Sequence, residues 1–217
     1  MGAMRPLDGP NRGETGASTG HPEGCFLDCP TCERLRRAAV EIAVRDGIDR
    51  TTTAGMAELA GVPVDEAMGH YPTVEDCLAA AYDEGALMLR RVCARALRGE
   101  GTWRDRLGRA IDMALEAFAE RPQLARYCFV EASYSSLPML SASRVADRER
   151  LVRILAEHHG PVSRGEDLPE LRFEVMVGAA HHAVREQLDG HGGDVTLRER
   201  LDQLIDLFER PNSATVG

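Results

Sequence analysis

After residue 30, apolar side chains recur at three- and four-residue intervals along almost the whole chain. No run of β-branched residues alternates in the two-residue rhythm of a strand. The pattern predicts an all-α protein. A first helix over residues 31–46 carries Leu35, Ala38, Ala39 and Ile42 on one face and ends at Gly47. Two short helices come next, over 53–60 and 64–70, separated by Gly61-Val62-Pro63. A longer one covers 74–98, with Thr73 as its N-cap, Asp76 three residues on, and Leu78, Tyr82, Leu89 and Cys93 on one side.

Gly99–Gly101 interrupts the pattern. Trp103, Leu107, Ile111, Leu115 and Phe118 then mark an amphipathic helix that Pro122 stops. A short helix holds Leu124, Tyr127, Cys128 and Glu131, and a longer one covers 137–159. Pro169 opens a helix with Phe173, Met176, Val177, Ala180 and Val184 together. Thr196 and Glu199 form a T-x-x-E capping box before the stripe Leu197, Leu201, Leu204, Ile205 and Phe208, and Pro211 ends that last helix.

Within residues 47–78 the spacing is that of a helix-turn-helix. Such a unit needs small residues where two helices cross, a turn that tolerates unusual dihedrals and an apolar plug. Ala57 and Ala60, then Gly61, then Val62 meet those needs in order. The segments RLRRAAVEIAVRDG, TTTAGMAELAGV and HYPTVEDCL extend the match: Gly47, Thr51-Thr52, Met56-Ala57, Ala60-Gly61-Val62 and His70-Tyr71-Pro72 succeed one another without insertion. In this the chain resembles the N-terminal domain of the TetR family of bacterial transcriptional regulators.

The resemblance implies a three-helix helix-turn-helix domain over 31–76, a helical ligand-binding and dimerisation domain over 77–211, and a tail over 212–217. It implies a homodimer joined through the last two helices, operator DNA as a partner, and a small-molecule effector among the central helices. The DNA-facing positions would be Arg50, Thr51, Thr52, Pro63, Val64, Glu66 and His70, with Thr51, Thr52 and His70 as phosphate donors. Tyr127, Glu131 and Tyr134 fall where the resemblance puts the effector pocket. His181, beside His182 in the penultimate helix, is a candidate for its polar edge. Packing with a satisfied polar tip is the alternative for all four.

Charge alters this picture. The chain has net charge −9 and no Lys, so all 26 of its Lys-or-Arg positions are Arg. Between Thr51 and Leu89 there is no Lys or Arg, and those 39 residues carry seven acids: Glu58, Asp65, Glu66, Glu75, Asp76, Asp83 and Glu84. DNA readers gain most of their sequence-independent affinity by neutralising phosphates with Lys and Arg. Pro63, Asp65, Glu66, Met68 and Val74 depart from the family pattern, and they do so on the DNA-facing positions. The nearby cations are Arg34, Arg36, Arg37 and Arg50, so their placement decides how the head behaves. Paired acids such as Asp83-Glu84 read as a solvated helix face.

Residues 1–24 hold six Gly and three Pro without apolar periodicity, which predicts a disordered arm over 1–30. Its end, HPEGCFLDCPTC, gathers His21, Cys25, Cys29 and Cys32. Three thiolates and an imidazole suffice for tetrahedral Zn, and three Cys for an iron–sulfur cluster; three free thiols are the plainer reading. Cys77, Cys93 and Cys128 read as small core residues. No apolar run is long enough to span a bilayer and the N-terminus lacks a signal core, so a cytoplasmic protein without a membrane partner is expected. No nucleophile–base–oxyanion set, phosphate-cradling loop or H-E-x-x-H is present, which points away from an enzyme. Three readings stand: a ligand-responsive regulator, a small-molecule or metal/redox sensor of the same fold that has lost DNA binding, and an enzyme recruited from the fold.

Overall fold

In a computed structural model the described residues are 29–159 and 169–209. All regular elements among them are helical, in agreement with the periodicity. The head comprises α1 (Pro30–Asp46), a 3-10 turn (Ile48–Arg50), α2 (Thr53–Ala60) and α3 (Val64–His70). The body comprises α4 (Val74–Leu97), α5 (Trp103–Glu120), α6 (Pro122–Arg126), a π turn (Tyr127–Glu131), α7 (Ala132–Tyr134), α8 (Pro138–His159), α9 (Pro169–Leu188) and α10 (Leu197–Glu209).

Local chemistry explains the boundaries. Gly47 at φ 97° and Gly61 at φ 63° take the positive dihedrals that let the chain leave α1 and turn between α2 and α3. The Thr52 side chain caps α2 by accepting from the Gly55 amide at 3.1 Å. Thr73 and Asp76 close the predicted capping box on α4, and Thr102 and Asp105 close one on α5 that the hydrophobic pattern alone does not reveal. Thr196 caps α10 rather than joining it, with the Glu199 carboxylate accepting from the Thr196 amide at 2.9 Å.

Two apolar clusters share α4 as their common wall. One joins Leu35, Ala39, Met56, Ala57 and Tyr71 of the head region to Leu78, Tyr82 and the π turn. The other joins Cys93, Leu97 and Leu107 to Val152, Leu155, Phe173, Met176 and Ile205. The head is therefore continuous with the body through the first half of α4, not hung from a linker.

The stripe on α10 turns inward. Leu201 and Ile205 are buried, whereas Leu207 on the opposite side is exposed, together with Leu171 and Val175 of α9. The apolar residues left for an interface are thus not the ones that periodicity picks out. No described helix is long and apolar enough to cross a membrane.

Candidate functional site

In the head, α3 shows solvent nearly its whole surface. Pro63, Val64, Asp65, Glu66 and Met68 are exposed, and Ala67 is its buried residue. Pro63, Val64 and Glu66 are therefore open to solvent. Arg50 is exposed on the 3-10 turn, and Thr52 is exposed beside α2 while its hydroxyl serves as the cap. Two of the expected DNA-facing residues are elsewhere. Thr51 is buried and its hydroxyl donates to the Gly47 carbonyl at 3.3 Å, so it fastens the turn after α1. His70 turns back toward the start of α1, with its Nδ1 at 3.3 Å from Cys32 Sγ and 3.9 Å from Cys29 Sγ.

The cations do not gather on α3. Arg36 is buried, with Nε donating to Glu84 at 2.7 Å and Nη1 donating to the Tyr71 hydroxyl at 2.9 Å. Arg37 pairs with Glu33 at 3.2 Å on the outer face of α1. Arg34 reaches the Ala60 carbonyl at the end of α2, at 3.5 Å. Residues 29–76 hold nine acids against five Arg, so the head is acidic as a body and not only along α3.

Glu84 is not a solvated surface acid. It bridges Arg36 and Arg121, the latter at 2.6 Å. Burial pushes the Glu84 carboxyl up, but the Arg121 and Arg36 guanidinium groups outweigh it and hold it below the usual carboxylate range. Burial also acts to lower Arg36, and the Tyr71 and Glu84 contacts more than reverse that. Asp83, the neighbouring acid, is raised by burial. Sequence patterning missed this network because its members lie far apart; Arg36 among the apolar positions of α1 was the one local sign.

Next to Glu84, Gly85 lines a cavity of about 550 Å³ enclosed by α4, α5, α6, the π turn, α8, α9 and α10. That volume lies within the range of small-molecule sites. The wall is mostly apolar, with Leu89, Ile111, Ala114, Phe118, Phe129 and Met176 among its residues, and its polar side chains include Arg144, Asp147, Arg148, His181 and Arg185. Gly85 is required for the approach of the π turn, since a Cβ there would lie 2.6 Å from Cys128 Sγ. Asp147 is buried and paired with Arg90, which leaves the Arg side chains as the dominant charge of the wall.

Of the four residues expected at this pocket, His181 lines it, with its ring 5.0 Å from that of Phe129. Tyr127 is fully buried behind the wall and donates to the Leu78 carbonyl at 2.7 Å. Glu131 pairs with Arg126 at 3.4 Å, and Tyr134 is 68% exposed under the Arg185 guanidinium. Neither lines the cavity. Tyr127, Glu131 and Tyr134 lie in or just beyond the π turn Tyr127–Glu131, of which Cys128 and Phe129 line the cavity. Arg144 and Arg148 carry no motif; their four-residue spacing on α8 was the available signal.

Burial, and then Arg185 and Arg144, lower the His181 pKa to about 4, so its imidazole is neutral at physiological pH. The folded value lies below the unfolded one of about 6.5. The unfolded chain therefore binds more protons between those values, and stability contributed by this group is present above them and lost as pH falls from 6.5 toward 4. After allowance for solvent screening, the loss should be roughly 1–2 kcal/mol. Urea unfolding at pH 7 and pH 4.5 should show a smaller drop in a His181→Gln variant.

Of the proposed metal ligands, His21 and Cys25 lie outside the described residues. Cys29 and Cys32 converge on His70 instead, and the three ligand atoms lie within 4.8 Å of one another. Cys77, Cys93 and Cys128 are buried, as core residues should be; burial raises the Cys93 thiol to about 12.

A helix-turn-helix head built onto a helical body with an internal cavity defines an all-helical fold, and known structures share it. No protein-family model and no curated protein matches the chain. Among solved structures it is similar to a TetR-like transcriptional regulator from Rhodococcus sp. RHA1, with 18% identity, TM-score 0.65, and coverage of 82% of this chain and 93% of that one. It is similar to Thermus thermophilus FadR, a TetR-family transcriptional repressor in complex with lauroyl-CoA (23% identity, TM-score 0.60, 86% and 100% covered). A third is the Bacillus subtilis transcriptional regulator FadR in complex with stearoyl-CoA (17%, TM-score 0.67, 81% and 96%). The chain has the TetR-type fold.

Proposed function

We propose that the protein is a ligand-responsive transcriptional regulator that acts in the cytoplasm as a homodimer on operator DNA, with residues 31–76 as reading head and 77–211 as effector and dimer domain. The observation that carries this reading is the adjacency of Glu84 and Gly85 on α4. Glu84 grips Arg36 of the head, and Gly85 is part of the cavity wall. An effector that displaces α4 at Gly85 moves the anchor of the head by the same displacement. The effector class that suits the wall is a long apolar chain with an anionic group, placed by Arg144, Arg148 and Arg185. The acyl-CoA complexes of the two FadR neighbours support an acyl thioester within that class. The exposed Leu171, Val175 and Leu207 support a dimer through α9 and α10.

The acidic head favours a second reading, in which the same fold senses its ligand without contacting DNA. Salt-titrated binding of the protein to DNA upstream of its own gene separates the two. Arg34, Arg37, Arg45 and Arg50 supply at most four phosphate contacts per head. The salt slope for a dimer should then be no steeper than about −7. Absence of binding at low salt removes the operator reading and leaves the sensor.

A further inference from the structure

We infer that Cys29, Cys32 and His70 form a structural zinc site that clasps the start of α1 to the end of α3. The site does not depend on whether the head reads DNA.

The three ligands come from distant parts of the sequence and meet in space. Cys29 is the N-cap of α1, Cys32 lies one turn on, and His70 is the last residue of α3. Their separations are 41 and 38 residues, with Nδ1 3.9 Å and 3.3 Å from the two sulfurs. Tetrahedral zinc, with bonds of about 2.3 Å to sulfur and about 2.05 Å to nitrogen, places sulfur about 3.6 Å from nitrogen. The observed separations bracket that value. Both sulfurs address the same ring nitrogen, which has one lone pair or one proton to offer.

The donors fit the metal. Two thiolates and an imidazole match the borderline-soft character of zinc.

The head also has a use for such a clasp. Helix α3 has seven residues and one buried side chain, Ala67, and it exposes Val64 and Met68. Apolar burial alone holds it weakly. A metal at His70 fixes its C-terminal end, while Tyr71, 1% exposed, packs immediately beyond.

The test uses the full chain, reduced and chelator-treated, titrated with Co2+ without oxygen. A tetrahedral thiolate–cobalt absorption that saturates at one equivalent and is bleached by Zn2+ is expected. Cys32→Ser and His70→Ala should each weaken zinc by more than the roughly 100-fold upper cost of losing an outer-shell partner. His70→Cys should restore tight binding with stronger thiolate charge-transfer bands, which separates ligand loss from misfolding. Zinc should also slow amide exchange across α3. A cobalt spectrum that is not tetrahedral, or one that survives both ligand losses, overturns the assignment. So does an iron–sulfur chromophore in protein purified without oxygen.

Discussion

Replacing Glu84 by Ala is expected to cost roughly 3–5 kcal/mol of folding stability, the usual penalty for stranding a buried charge. Arg36 is 5% exposed and has Glu84 at 2.7 Å as its counter-charge. Without that carboxylate the guanidinium retains the Tyr71 hydroxyl, which carries no charge. Arg121, with its side chain 41% exposed, can return to solvent, so the damage concentrates on Arg36. The same logic fixes the pH behaviour of the native protein. The folded Glu84 pKa lies below the unfolded one. Its contribution is therefore full above an unfolded value of about 4.3 and is lost as pH falls through the folded one. Urea unfolding measures the loss, and an Arg36→Met, Glu84→Leu double variant should recover part of it, because the stranded charge goes with the pair. A Glu84→Ala loss below about 1 kcal/mol would show that the bridge is solvated in practice. Coupling of the head to the cavity should also weaken in Glu84→Ala, since the bridge is a polar link from α1 to the cavity-lining stretch of α4 beside their shared apolar packing.

How far the sequence could be read depended on whether a feature is local. Caps, glycine turns and apolar stripes act within one helical turn, so the boundaries at Gly47, Gly61, Thr73 and Thr196 are set by residues a few places apart. Which face of a helix meets which neighbour is not local. The α10 stripe could serve core or interface equally well, and only the packing of Leu201 and Ile205 against α5 and α9 places it inside. Tyr127, Glu131 and Tyr134 were placed at the pocket by resemblance, and no local pattern shows that Cys128 and Phe129 of the π turn line it in their stead. Asp83-Glu84 looked like solvated charge because the partner Arg36 is 48 residues away. His70 was assigned to phosphate by its place in the motif, and the two Cys that its Nδ1 meets lie 38 and 41 residues earlier, beyond any local signal. The acidic character of the head, by contrast, is compositional and survives folding unchanged.

Ala114→Phe is expected to weaken binding of a long-chain acyl effector by on the order of 100-fold while leaving the fold intact. Ala114 of α5 lines the cavity and is only partly buried, so the added ring has the cavity to enter. A phenyl group displaces ligand volume comparable to about four methylene groups. At about 0.8 kcal/mol per buried CH2, this removes roughly 3 kcal/mol of binding energy from a chain that fills the cavity. A chain shorter by that length should lose little, because the ring occupies space it does not use. The measurement is a titration of acyl thioesters of graded length against the native protein and the variant, with thermal unfolding as the control for folding. The decisive quantity is the change in length preference. A uniform loss at every length would place the ligand elsewhere or make it the head group that dominates, and the Arg144→Ala and Arg148→Ala variants then separate those outcomes by removing charge without narrowing the cavity. A native protein that binds no chain of any length would remove the acyl reading altogether and leave the cavity to be tested with other apolar ligands.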